Sequence, residues 1–350
     1  MSDDLEPLAP AQAVEMYLEA KQDDLTESTL KGQKYRLQAV VQWCDEEGIE
    51  NLNELTGRDL YAYRVWRREG NGDGREAVKP VTLRGQLATV KAFLRFCGDI
   101  EAVPKDLHDK VPLPTLDVGA DVSNSTLDPA RVEEILDYLG RYEYASRNHI
   151  IVLLLWRTGC RTGGLRALDL RDVDLEGEHP AINGPAVHFV HRPEEGTPLK
   201  NKERGDRWNR IGAHVAQALQ DYIDGPRVDV TDDYGRDPLL TTTHGRPTGS
   251  TIRDTLYRVT RPCWRGAACP HDREPKDCEA TDMKKASQCP SSRSPHDVRS
   301  GRVTFYRQND TPRQIVRDRL NASEDILDKH YDRRSERQRA EQRSKHLPDL

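Results

Sequence analysis

The segment SPHDVRSGR carries side chains whose types and spacing could act on a phosphate group. Ser294 can cap a helix, and Pro295 suits its first position. His296 and Arg299 would then lie three residues apart, on one side of the first helical turn. A helix N-terminus already attracts anions. An imidazole and a guanidinium at this place therefore predict a phosphate clamp.

Three other segments carry basic or nucleophilic side chains. A glycine turn, TGCRTGGLRALDLRDVDL, presents Arg161 directly after an apolar stretch. A charged loop, GTPLKNKERGDRW, holds Lys200 and Lys202 near the tip of a predicted hairpin. The fourth segment, NASEDILDKHYDRR, places Tyr331 beyond a short amphipathic helix. Taken singly, these features would be an ordinary arginine on a loop, a stretch of charged residues exposed to solvent and a half-exposed tyrosine. Only their order along the chain indicates a function.

In that order the four segments resemble the tyrosine recombinase/integrase family, which includes the phage integrases and the Xer-type recombinases. The family carries Arg in a TGxR turn, Lys on a β-hairpin, a HxxR pair, a further His or Trp, and a Tyr nucleophile. The resemblance covers the whole chain and implies a site-specific DNA recombinase that works through a 3′-phosphotyrosyl intermediate. It also implies a specific double-stranded DNA site as partner, a homotetramer on that DNA, and no cofactor for catalysis.

The resemblance assigns a role to each of these residues. A phenol with an ordinary pKa near ~10 is a weak nucleophile, and its attack builds negative charge on the phosphate oxygens. Tyr331 would attack, Arg161 and Arg299 would bind those oxygens, and His296 would donate to the phosphate or handle the Tyr proton. Lys200 or Lys202 would protonate the leaving 5′ oxygen. Lys200, followed by Arg204, fits the family pattern slightly better, and both lysines stay open.

The chain departs from the family pattern at two places. Gly163 and Gly164 follow the TGxR turn, where the family usually has Glu. The usual His or Trp lies nine residues before the Tyr, and here that position is Ala322. Asn321 or His330 are the candidates for the missing group. These departures keep two alternatives open: a catalytically weakened DNA-binding regulator of the same fold, and a type IB topoisomerase-like enzyme, which shares the catalytic layout.

Four of the seven cysteines crowd into one stretch just before the HxxR pair. A cytosolic chain with such a cluster more often binds metal than forms disulfides. Thiolate and imidazole ligands suit structural zinc, and a long polar loop without such a cross-link is expected to be disordered. We therefore predict a structural zinc ion bound by four of five candidates: Cys263, Cys269, His271, Cys278 and Cys289.

Helical periodicity dominates the chain, and alternation between residues 185 and 212 predicts a hairpin. The predicted fold is mainly α (α+β). Residues 1–115 resemble a helical, SAM-like core-binding domain that holds DNA, residues 116–126 form a linker, and residues 127–350 resemble a mixed α/β DNA breaking-rejoining catalytic domain. The Cys-rich insert occupies 263–289.

The composition describes a highly charged chain. Its net charge is −6, with 53 Lys and Arg against 59 Asp and Glu. This balance is unusual for a DNA-binding protein, which must neutralise phosphates, and it fits a protein from a high-salt, halophilic source. No apolar stretch approaches the ~20 residues of a membrane span, and no secretory signal opens the sequence. We expect a cytoplasmic protein without a membrane partner.

Overall fold

The computed structural model describes residues 5–70, 77–117, 119–120, 125–323, 327, 337, 340 and 344. The chain divides into two compact units, Met1–Val122 and Ser123–Leu350, and each has its own apolar core. Both units are mainly helical and the second adds a small antiparallel sheet, which confirms the predicted fold class. No helix in the described ranges is both long and apolar enough to cross a membrane.

The first unit is helical throughout its regular structure. Its α-helices within the described ranges are α1 (Pro10–Ala20), α2 (Glu27–Glu47), α3 (Gly57–Glu69) and α4 (Pro80–Asp99). Leu87, Val90 and Leu94 recur at helical spacing on α4 and are all buried. Gly48 ends α2 in the left-handed conformation, with φ at 70°. Apolar periodicity and helix-end residues therefore account for this unit, as the sequence predicts.

The second unit is built around one fully buried helix. Every side chain from Ile150 to Trp156 on α6 is buried, and α6 packs against α5, α8, α9 and α10. A helix that is apolar on all sides belongs in the interior of a domain. The described α-helices of this unit are α5 (Pro129–Tyr142), α6 (Arg147–Thr158), α7 (Thr162–Ala167), α8 (Ala213–Asp224), α9 (Gly249–Val259), α10 (Pro295–Gln308) and α11 (Arg313–Leu320).

The sheet of the second unit has three short strands in the order β1-β2-β3. They are β1 (Val173–Asp174), β2 (Ala186–Phe189) and β3 (Arg207–Arg210), and both pairings are antiparallel. The β2–β3 pair is the predicted hairpin, with Phe189 opposite Arg207 at the end nearest the charged loop. Strand β1 was not predicted, because two residues are too few to show an alternating pattern.

A buried network of ion pairs fixes the base of the hairpin loop. Arg192, which follows β2, donates two hydrogen bonds to Asp172 at 2.8 and 2.6 Å. Arg236 donates to the main-chain oxygen of Glu195 at 2.8 Å. The network joins carboxylates and guanidinium groups that are almost fully buried: Asp169, Asp172, Asp232, Arg236 and Arg246. A buried charge is stable only when it is paired, so each member depends on the others.

Helix α10 is packed very closely against the chain segment that precedes α5. The Leu127 main-chain N–H donates to the Asp297 oxygen at 3.0 Å. Gly301 lies one turn further along α10, and a methyl group there would overlap the main-chain oxygen of Leu127. Glycine is therefore required for this approach. The approach holds in place the helix that carries His296 and Arg299.

We predict that Gly301→Ala lowers the free energy of unfolding of the second unit by about 1–3 kcal/mol, since the added carbon meets backbone that cannot yield. Gly140→Ala is the matched control, because Gly140 is exposed on α5 with open space around it. That change should raise the stability by about 0.5–1 kcal/mol. Chemical unfolding measures both variants. Equal unfolding midpoints for the two variants would show that Gly301 is not packed against the Leu127 main chain.

The network also predicts an acid transition. Burial alone raises the pKa of the Asp232 carboxyl, but hydrogen bonds from the Arg236 main-chain N–H and the Arg246 guanidinium lower it to about 2. An unfolded Asp has a pKa near ~3.9, so this stabilisation is present above about pH 4 and is lost as the pH falls toward 2. We expect Asp232→Asn to lower the free energy of unfolding by about 2 kcal/mol at pH 7. Between about pH 4 and pH 2, the stability of the variant should depend less on pH than that of wild type. Chemical unfolding at several pH values measures this effect. If the stability of the variant fell between about pH 4 and pH 2 as steeply as that of wild type, the prediction would be contradicted.

Candidate active site

The turn between α6 and α7 presents Arg161. Gly159 ends α6 in the left-handed conformation, with φ at 63°, which turns the chain out of the helix. The buried Thr158 hydroxyl accepts a hydrogen bond from the Cys160 N–H at 3.2 Å and stabilises this turn. Arg161 then has extended backbone and precedes the first residue of α7. Its half-buried side chain donates to the main-chain oxygen of Asn321 at 3.1 Å.

Helix α10 begins as its sequence predicts. Ser294 and Asp297 form a reciprocal capping box, and Pro295 occupies the first position. His296 is exposed, whereas Arg299 is only 2% exposed. The Arg299 guanidinium donates to the Gly159 main-chain oxygen at 2.6 Å, so it contacts the turn that carries Arg161. The structure thus brings the TGxR and HxxR segments together.

Arg207 belongs to the same cluster and was missed by sequence reasoning. It opens β3, its guanidinium lies 4.4 Å from the centre of the Phe189 ring, and its Nε donates to the Arg319 main-chain oxygen at 3.0 Å. Burial, with the nearby charges of Arg299, Arg161 and Arg319, lowers the pKa of Arg207 to about 10. It remains a cation at neutral pH. A group of neighbouring guanidinium side chains is chemically suited to bind an anion. The sequence offered one signal for Arg207: an arginine at the start of β3, the second strand of the hairpin.

The hairpin loop carries the two candidate lysines. Lys200 and Lys202 are both exposed, and Lys202 has a left-handed backbone with φ at 52°. Leu199 anchors the loop: its side chain is buried, and its N–H donates to the His191 ring at 2.8 Å. Beyond this anchor, the Asn201 amide donates to the main-chain oxygen of Asn321, at 3.2 Å. The loop and Arg161 therefore contact the same residue.

Ala322 occupies the position where the family pattern has His or Trp, and its surroundings in the structure are apolar. Ala322 is buried in a small cluster with Val316, Leu320 and Leu327. No polar side chain replaces it at that position. Asn321 lies directly at the candidate site. The predicted nucleophile Tyr331 and the alternative His330 lie outside the described residues.

The glycine that follows the TGxR turn, where the family pattern has Glu, is explained by packing. Gly164 is buried on α7, and a Cβ atom there would lie 3.4 Å from the Phe189 ring and 3.8 Å from Cys160. A glutamate at this position would extend into that apolar packing, where an unpaired carboxylate is costly.

The predicted zinc site is not supported. Across the ranges that the structure describes, no three His, Cys, Asp or Glu side chains are arranged to hold a metal ion. His271 instead forms a hydrogen bond with the Ser291 hydroxyl at 2.8 Å. Two cations, Arg261 and Arg273, line the same cavity as the candidate ligands, which are Cys263, Cys269, His271, Cys278 and Cys289.

The segment is held together by contacts that do not involve a metal. Its turns are held by side chains that donate to main-chain oxygens. Arg261 donates to the oxygen of Ala280, and Arg131 donates to the oxygen of Ser291 at 2.7 Å. The Ser292 hydroxyl donates to Tyr257 on α9 at 2.8 Å. These contacts replace the cross-link that the sequence argument assigned to zinc.

The chain is similar to known proteins in sequence and in fold. No family profile matches the chain. A tyrosine recombinase XerC from Roseiflexus sp. strain RS-1 is 29% identical over 191 residues, which is 53% of this chain and 53% of that protein. The chain therefore spans about half the length of the curated relatives that it matches.

Solved structures extend the similarity of fold to nearly the full chain. The Tn1549 transposon integrase, in complex with a circular intermediate DNA, is 15% identical with a TM-score of 0.66, over 97% of this chain and 100% of that one. A lambda integrase dimer bound to a core site is 12% identical with a TM-score of 0.60, over 96% of this chain and 80% of that one. The chain is thus similar in sequence to tyrosine recombinases over about half of its length, and it shares the fold of these integrases.

Proposed function

We propose that this chain is a site-specific DNA recombinase that cleaves and rejoins DNA strands through a 3′-phosphotyrosyl link on Tyr331. One observation carries the proposal: the Arg299 guanidinium, buried on α10, contacts the turn that presents Arg161. Two arginines from distant segments thereby reach one place, and Arg207, whose pKa is lowered by burial and by these two charges, lies beside them. Such a cluster suits the oxygens of a single phosphate.

The reaction follows from these positions. The Tyr331 oxygen attacks phosphorus, a new phosphorus–oxygen bond forms, and the bond to the 5′ oxygen breaks. Arg161 and Arg299 stabilise the charge that develops on the two nonbridging oxygens. His296, exposed at the start of α10, donates to the phosphate or takes the phenol proton. The broken bond is replaced by a bond of similar energy, so a second strand's 5′ hydroxyl can reverse the step.

The leaving oxygen needs a proton, and the hairpin loop can supply it. The ammonium groups of Lys200 and Lys202 are exposed on the loop that contacts Asn321, which in turn binds Arg161. An ammonium group is a suitable acid for an alkoxide. We assign this role to Lys200 first, with Lys202 as the alternative. The five cysteine and histidine residues of the Cys-rich segment take no part in the reaction.

The two units are assigned different tasks. The helical unit, with its domain at residues 1–115, would hold one face of double-stranded DNA, and residues 127–350 would carry out the chemistry. The lambda integrase structures are described as a dimer on a core site and a tetramer on a Holliday junction. We extend both features to this chain and propose a homotetramer on its DNA site, in the cytoplasm.

Tyr331→Phe provides the first test. A pool of nicked duplexes with randomised sequence lets the cleaved fragment diffuse away, so an active recombinase accumulates as a covalent protein–DNA adduct. We expect wild type to form the adduct and Tyr331→Phe to form none, because the phenol oxygen is the attacking atom. Denaturing gels measure the adduct, and sequencing the captured DNA identifies the site. Selective binding of DNA without any adduct would instead assign the chain to the regulators of this fold.

Relaxation of supercoiled plasmid separates the topoisomerase alternative. A type IB topoisomerase-like enzyme would relax plasmids that lack the captured sequence at the same rate as plasmids that contain it. We expect relaxation and adduct formation only where the captured sequence is present.

The two arginines predict different consequences. Arg161 is half buried, so Arg161→Ala should reduce adduct formation by about 100- to 1000-fold with little change in stability. Arg299 also binds the Gly159 oxygen in the interior. Arg299→Ala should show the same loss and also unfold more easily by about 1–3 kcal/mol. Adduct yield and chemical unfolding measure both effects, and Arg253→Ala, on the exposed face of α9, is the control. Full adduct yield in Arg161→Ala would remove the proposed phosphate site.

A further inference from the structure

One residue, Asn321, joins the α6–α7 turn to the hairpin loop. Its main-chain oxygen accepts hydrogen bonds from Arg161 at 3.1 Å and from the Asn201 amide at 3.2 Å. Its side-chain oxygen accepts from the same Asn201 amide, and its side-chain nitrogen donates to the main-chain oxygen of Arg204. Asn321 thus contacts the loop on both sides of Lys202.

The backbone conformation explains how one residue makes all these contacts. Asn321 ends α11 in the left-handed region, with φ at 51° and ψ at 62°. Asparagine tolerates this conformation better than most residues. The next residue, Ala322, is buried in an apolar cluster. The chain therefore places an amide one residue before the position where the family has its His or Trp.

We propose that Asn321 is a positioning residue that clamps the loop 200–204 against Arg161 and thereby holds the catalytic lysine at the leaving oxygen. This inference rests on the proposed function and deepens it. The lysines are exposed on long flexible side chains, so their placement depends on the loop backbone. The Asn321 amide fixes that backbone at Asn201 and at Arg204. Loss of the amide should affect protonation of the leaving oxygen more than binding of the phosphate.

Asn321→Gly isolates the side chain. Glycine adopts positive φ without strain, so the turn and its main-chain oxygen can stay in place while the amide is removed. Asp272→Gly is the matched control. Asp272 is also left-handed, with φ at 52°, and lies exposed in the Cys-rich segment. The variants are compared on the duplex captured by wild type, prepared with either oxygen or sulfur as the bridging 5′ atom at the cleaved phosphate.

Sulfur leaves without needing a proton, so it removes the need for the lysine. We expect Asn321→Gly to cleave the oxygen substrate about 10- to 100-fold more slowly than wild type. On the sulfur substrate the cleavage rate of Asn321→Gly should be within about threefold of the wild-type rate, since phosphate binding by Arg161 is retained. Asp272→Gly should match wild type on both. Normal cleavage of the oxygen substrate by Asn321→Gly, or equal losses on both substrates, would overturn the proposal.

A second measurement does not depend on activity. Hydrogen exchange of the full chain without DNA should show faster exchange across residues 199–206 in Asn321→Gly and unchanged exchange in Asp272→Gly. If wild type forms no adduct with any duplex, the proposed recombinase function fails, and this measurement still decides the clamp. Unchanged protection of residues 199–206 in Asn321→Gly would overturn it.

Discussion

The packing of several guanidinium groups around the α6–α7 turn is the constraint that organises the second unit. Arg207 is close enough to Arg161, Arg299 and Arg319 for their charges to lower its pKa. Main-chain oxygens at helix ends offset this repulsion. Arg299 binds Gly159 at the carboxyl end of α6, and Arg161 and Arg207 bind Asn321 and Arg319 at the carboxyl end of α11. The carboxyl end of a helix carries partial negative charge, so it stabilises a cation. Helix ends therefore hold these arginines close together around the α6–α7 turn.

The same arrangement gives α11 a role beyond carrying the chain toward Tyr331. Its last turn receives hydrogen bonds from the hairpin through Arg207 and Asn209, and from the α6–α7 turn through Arg161. Any movement of α11 therefore changes the surroundings of the hairpin and of the turn together. The buried Ala322, in a cluster with Leu320, adds an apolar anchor at the position where the family has a polar residue. The neighbouring Asn321 makes polar contacts with Arg161, Asn201 and Arg204.

Much of the fold and part of the site could be predicted from the sequence. Apolar periodicity identified the buried helix α6, and the Ser294–Pro295 pair identified the start of α10, because both signals are local. The β2–β3 hairpin followed from alternation. Arg207 and the contacts of Asn321 could not be found in this way, since they depend on segments more than a hundred residues apart. The zinc prediction is not supported, and the sequence showed only the cysteine count, whereas the arginines that hold the loop through main-chain oxygens became visible in the structure.

The buried ion pairs at the base of the hairpin have a consequence for how salt acts on the protein. Dissolved ions screen exposed charges over about 10 Å at moderate ionic strength, but they reach buried pairs poorly. Asp169, Asp172 and Asp232 are shielded from solvent together with their arginines. The attraction between an acidic chain and DNA, by contrast, weakens steeply as salt rises. Under the proposed function, salt would therefore govern how tightly the protein holds DNA while leaving the geometry of the hairpin loop nearly constant. In a concentrated brine, occupancy of the DNA site rather than the shape of the proposed catalytic centre would then limit the rate.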